Sequence, residues 1–151
     1  MELKFSVWVH VARPPHEVYQ AVADPAILSQ YFATGGAQGR LESGATVTWD
    51  FADFPGAFPV EVVEAVPDER IVLRWDANEG EGPAGYKTEV VFTFEPAEGG
   101  RTKVTVAESG WRETSGGLKA SYGNCMGWSQ MLCALKCWVE RGFNLREGMY
   151  K

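Results

Sequence analysis

Two histidines and three cysteines are all that this sequence offers for thiol or imidazole chemistry, and their placement removes most of it. His10 and His16 stand apart, and no Cys-x-x-Cys or His-Glu-x-x-His spacing occurs, so no metal is expected. Cys125, Cys133 and Cys137 lie in one stretch, with the last two a single helical turn apart. A disulfide framework would tie separate segments, and an odd count leaves one thiol over, so free thiols are expected, Cys125 as a small apolar filler. Basic residues are also short: 14 Lys and Arg against 20 Asp and Glu give a net charge of −6 and no basic run. Without that electrostatic footprint, nucleic acid is not an expected partner. No apolar window approaches the ~18 residues that span a bilayer, and Met1 to Ser6 lacks a signal-peptide layout, so no membrane insertion and a cytoplasmic location are expected. Neither Ser109 nor Ser129 sits in a Gly-x-Ser-x-Gly elbow, no phosphate loop is present, and no cofactor is expected.

What the chain does have is apolar and aromatic mass. Hydrophobic residues make up 45%, with six Trp, five Tyr and eight Phe, enough for one substantial core over residues 1–151. Seventeen glycines and eight prolines imply many turns and favour a sheet-rich domain over a bundle. Residues 3–12 alternate, with Leu3, Phe5, Val7, Val9 and Val11 on one face, which predicts a first strand. Two short helices follow, the first opened by Pro14 and Pro15 with Glu17 near its positive end, the second by Asp24 as N-cap before Pro25. Strands are then predicted near residues 38–42, 45–51, 60–66, 69–75, 86–94 and 102–108, with Pro67-Asp68 turning one hairpin. Residues 52–59, with two prolines and a glycine, read as an apolar loop or edge, and residues 77–85 as an exposed loop.

The one long helical pattern runs over residues 119–141 and stops at Gly142. Ser121, Asn124, Cys125, Trp128, Leu132, Leu135 and Val139 share a stripe flanked by Met131 and Trp138. On the other side, Met126, Gln130, Cys133 and Cys137 form a strip that would suit a partner, a homodimer among the options. Antiparallel strands followed by a terminal helix define an α+β domain whose sheet curls around that helix.

Five patches in order carry a resemblance: residues 12–19 (Ala-Arg-Pro-Pro-His-Glu-Val-Tyr), Asp24-Pro25 with Leu28, Tyr31 and Phe32, residues 62–71 ending toward Trp75, Ser109-Gly110-Trp111, and Gly127-Trp128 with Leu132 and Leu135. Together they resemble the START-like superfamily, and within it the group named after the activator of the heat-shock-protein-90 ATPase. The resemblance implies a helix-grip fold, about seven antiparallel strands around the C-terminal helix, with an apolar cavity between them. It implies binding of lipids, sterols, polyketides or similar molecules, with cyclases and hydrolases a minority. Tyr31 stands where the group more often has Trp. The chaperone activator itself carries a further amino-terminal domain that 151 residues do not accommodate.

A small apolar ligand would therefore be enclosed by Trp49, Phe51, Leu73, Trp75, Phe92, Val106, Trp128, Met131, Leu132 and Leu135. Glu108 shares its face with Val106, so it either orients the ligand or meets solvent at the rim, the simpler placement. An enzyme using the same cavity would draw on Glu108, Asp50 or Tyr86, and a chaperone-regulating interaction module is the third possibility.

Overall fold

Alternation of apolar and polar residues builds most of the chain into one sheet. A computed structural model, describing residues 1–151, contains β1 (Leu3–Val11), α1 (Pro15–Ala23), α2 (Pro25–Tyr31), β2 (Gly36–Gln38), β3 (Thr46–Phe51), β4 (Phe54–Val66), β5 (Arg70–Asn78), β6 (Pro83–Ala97), β7 (Arg101–Trp111) and α3 (Ser115–Arg141). The seven strands form one antiparallel sheet in the order β1-β7-β6-β5-β4-β3-β2. Hairpins join every neighbour from β2 to β7, and β1 closes the far side by pairing with β7, Val7 opposite Val106. This is the α+β helix-grip arrangement, with two short helices after the first strand and a long helix at the end. No helix is long and apolar enough to cross a membrane.

The short helices start as their sequence dictates. Pro15 and Pro25 occupy first turns, where a missing N–H costs nothing, and the Asp24 carboxylate accepts from the Ala26 N–H at 2.9 Å. Tyr31 is fully buried and donates its hydroxyl to the Ala21 carbonyl at 2.8 Å, pinning α2 to α1. The Val66–Glu69 turn closes through a 3.1 Å backbone bond, and Asp68 takes φ +65°, a conformation aspartate tolerates better than most residues.

Several boundaries differ from the sequence expectation, β2 at residues 36–38 rather than 38–42 among them, and three of the differences have a plain physical reason. Of the two expectations for residues 52–59, loop or edge, the structure takes the edge over 54–59: β4 pairs with β3 there (Trp49 opposite Phe58, Thr48 opposite Pro59) while its other side is unpaired. An edge tolerates Pro55 and Pro59, which a central strand would not. Strand β5 runs on to Asn78 because its partner β6 begins at Pro83, leaving a shorter loop than expected. Helix α3 begins at Ser115, not near residue 119: Thr114 caps it by accepting from the Gly117 N–H at 3.0 Å. A Cβ built at Gly117 would run into the Arg112 carbonyl oxygen, so glycine is required at this entry.

The 27 residues of α3 make a rod about 40 Å long. Leu132, Ala134 and Leu135 are buried against the sheet with Val104, Val106 and Phe92 in one core cluster. Near its C-terminal end, Lys136 Nζ donates to the His10 carbonyl at 2.8 Å, and Glu140 accepts from the Ala12 N–H at 2.8 Å. The helix ends on Gly142 at φ +66°, the left-handed C-cap expected. Its first half is less enclosed, and there the site lies.

Candidate functional site

Strands β4 and β5 are paired only as far as Glu61 opposite Arg74. Beyond that point they part, and the gap opens a cleft of about 500 Å³ between Gly56–Pro59 of β4 and Trp75, Asp76 and Asn78 of β5. A second cleft, about 400 Å³, continues over the first half of α3, lined by Phe32, Phe51, Phe54, Trp75, Asn78, Gly123, Asn124, Met126, Gly127, Trp128, Arg146 and Tyr150. Phe51, Phe54, Trp75, Asn78 and Asn124 face both. The two spaces are one open, aromatic-walled groove.

Its floor is made by two helix-interior glycines. Gly123 and Gly127 are one turn apart, and a Cβ at either would meet no atom within 4 Å. Glycine inside a helix costs roughly 1 kcal/mol against alanine, so two of them facing open space keep a shelf of bare backbone at a cost in stability. They contrast with Gly117, which packing demands.

The walls interlock as a ring cluster. The Trp128 ring lies 5.4 Å from Trp75, 5.6 Å from Phe32 and 5.4 Å from Phe92, and Trp75 meets Trp49 edge-on at 6.0 Å. Behind them sits Glu108, 1% exposed. Its Oε1 accepts from Trp128 Nε1 at 2.7 Å, its Oε2 from Thr88 Oγ1 at 2.7 Å and Trp75 Nε1 at 3.0 Å, and Asn124 Nδ2 reaches both oxygens at 3.1 Å. Burial pushes this carboxyl above the ordinary 4.5, and the four donors, Trp75 foremost, pull it part of the way back. Three of those donors, Trp75, Asn124 and Trp128, line the groove, so Glu108 fixes the rotamers of its walls.

The remaining wall comes from the chain's last residues. Arg146 is buried and gives Asp53 a bidentate pair, Nε to Oδ2 at 3.0 Å and Nη2 to Oδ1 at 2.9 Å. Its guanidinium lies 4.5 Å from the Phe51 ring centre and 4.9 Å from that of Tyr150. The Tyr150 hydroxyl donates to Gln130 Oε1, and its ring meets Phe54 edge-on at 5.5 Å.

The structure brings three of the expected lining residues, Phe51, Trp75 and Trp128, to this groove. Trp49, Leu73, Phe92, Val106, Met131, Leu132 and Leu135 line neither cleft; they belong to the packed core, because the rings of Trp128, Phe32 and Phe92 fill the space between sheet and helix where a deeper cavity was expected. Glu108 is not at the rim: Trp75 and Trp128 cover it, a cross-strand and cross-layer arrangement that alternation alone does not encode. Both oxygens are saturated by donors, which suits positioning rather than proton exchange with a substrate. Asp50 accepts from the Gly56 N–H at 3.0 Å and shapes the β3–β4 turn. Tyr86 donates to Glu79 at 2.8 Å under the Arg112 guanidinium and lines neither cleft. The strip proposed for a partner is interrupted: Met126 and Cys133 are exposed, but Gln130 receives Tyr150 and Cys137 is half-buried. Arg146, Tyr150 and Asn78 were not anticipated, and no sequence pattern marks them; Gly123 and Gly127 carried a legible signal, glycine repeated at helical spacing inside an apolar pattern.

A long helix gripped by a seven-stranded antiparallel sheet, with a groove along that helix, defines a START-like domain. The match to known proteins narrows this. Residues 12–140 fit the family described as activator of Hsp90 ATPase homolog 1-like protein, and the chain belongs to that family. Among solved structures, protein MLL2253 of Mesorhizobium loti is 21% identical with a TM-score of 0.77, over 93% of this chain and 98% of its own. DynU16, a protein of the dynemicin biosynthetic locus, is 28% identical with a TM-score of 0.77; 94% of this chain is covered, but only 49% of DynU16. The Aha1 dimer of Colwellia psychrerythraea is 24% identical with a TM-score of 0.73, over 92% of this chain and 97% of that one. No curated protein matches the chain by sequence.

Proposed function

We propose that this protein binds a small apolar, aromatic molecule in the groove between the first half of α3 and the parted strands β4 and β5. The observation that carries the reading is the glycine shelf: Gly123 and Gly127 hold open a space walled by Phe51, Phe54, Trp75 and Trp128, at the expense of helix stability. Adjoining volumes of about 400 and 500 Å³ suit a molecule of two or three fused rings. Family membership supports a ligand-binding domain, and a solved relative from a biosynthetic locus agrees with a small-molecule role. The rings supply burial, and Asn78 and Asn124 the few polar groups that set orientation.

The test is quenching of tryptophan emission by a naphthalene-sized probe, with native mass spectrometry of protein taken from its host. Saturable one-to-one binding that Gly127→Leu abolishes is expected; binding indifferent to that substitution, or none, overturns the reading. Two lesser parts of it are separable. Pairing of two copies, supported by the dimer solved for the Colwellia relative, is checked by light scattering on an eluting peak. Chaperone regulation rests on the family description, and an unchanged ATPase rate of a heat-shock-protein-90 chaperone would remove it.

A further inference from the structure

The groove's polar atoms say more about its guest than its rings do. Asn124 Nδ2 donates to Glu108, 3.1 Å from each carboxylate oxygen. Both of those oxygens also receive an indole N–H, a group that only donates, so the carboxylate is an acceptor on both sides and the amide must turn its NH2 toward it. The amide oxygen Oδ1 is therefore turned away from Glu108, on a residue that borders both clefts, and it receives no hydrogen bond from the protein. The amide cannot flip without setting two acceptors face to face.

The two charged residues that line the clefts, Arg146 and Asp76, are already matched. Arg146 is paired with Asp53 at 2.9 Å, and Asp76, in the second cleft, with Lys87 at 3.2 Å. Neither leaves a free counter-charge for an ionised guest, and stripping water from an unpaired charge there is costly.

We propose that the groove selects a neutral aromatic molecule bearing an O–H or N–H donor, which Asn124 Oδ1 receives while the rings seat on the Gly123–Gly127 shelf. This rests on the binding function above. Glu108 acts one step removed, as the residue that fixes the amide's orientation.

The experiment compares matched probes on the intact chain: 2-naphthol, 2-methoxynaphthalene, which lacks only the donor, and 2-naphthoate, which is charged. Naphthol is expected to bind about ten-fold more tightly than its methyl ether, the worth of one hydrogen bond to an otherwise unmet acceptor, and naphthoate more weakly than either. Asn124→Ala should bring naphthol and the ether to equal affinity, and the wild-type comparison decides the matter even if that variant fails to fold. Equal affinities for naphthol and ether in the wild type, or tightest binding of naphthoate, overturn the donor selection while leaving the binding function standing. Failure of all three probes to bind overturns the binding function itself.

Discussion

The two halves of α3 are built on opposite terms. From Met131 to Glu140 the helix is fastened: Leu132 and Leu135 are buried in the core, Lys136 reaches the His10 carbonyl, and Glu140 takes the Ala12 N–H. From Gly123 to Trp128 it is held open, with two glycines facing empty space and one indole anchored to a buried carboxylate. The same rod thus supplies a core element and a binding shelf, and the switch comes within about two turns. Hydrophobic burial dominates one half, and a network of hydrogen bonds behind a wall of rings dominates the other.

Substitutions should respond accordingly. Leu135→Ala removes a fully buried side chain and should cost about 3 kcal/mol in urea unfolding, with probe affinity of the folded protein unchanged; a matching loss of affinity would erase the distinction between halves. Glu108→Gln sets an amide NH2 against an indole or asparagine donor and should cost about 2 kcal/mol, but here probe affinity falls as well, because Trp75, Asn124 and Trp128 lose their common anchor. Gly127→Ala reverses the sign: the helix gains about 1 kcal/mol while the shelf narrows and binding weakens. Phe54→Ala, at an exposed wall, should leave stability within about 0.5 kcal/mol and lower affinity alone.

The carboxyl groups that hold the two halves also titrate in opposite directions, Glu108 of β7 behind the open half and Glu140 in the fastened one. Burial holds the Glu108 carboxyl above its ordinary 4.5, so the unfolded chain gives up the proton first; the stability it contributes is complete below 4.5 and lost as pH rises through the raised value. Glu140 is lowered, chiefly by the Lys136 hydrogen bond and then the Ala12 N–H, so its contribution is present above 4.5 and lost as pH falls through the lowered value. Urea midpoints measured across that range for Glu108→Gln and Glu140→Gln should diverge from wild type at opposite ends. Parallel curves would show that the two carboxylates are not in contrasting surroundings.

Legibility in the sequence follows the same divide. The fastened half was readable, since Leu132, Leu135 and Val139 recur at helical spacing and Val104 and Val106 at strand spacing, and periodicity reports burial. The open half was only partly so. Asn124 fell on the inward stripe, and Phe51, Trp75 and Trp128 line the groove, yet the rim was the simpler placement for Glu108 because alternation gives a face and not what covers it. Pro55, Gly56 and Pro59 left loop and edge both open, because propensity does not record that a strand has lost one neighbour. Arg146 and Tyr150 meet Asp53 and Gln130 across long sequence separations, and such contacts leave no local pattern.

Where β4 leaves β5, the sheet exposes backbone that another molecule's strand could extend into a fibre. Pro55 and Pro59 lack the N–H such growth requires, and they sit in that stretch. The two prolines thus blunt an edge that would otherwise be open to self-templated aggregation.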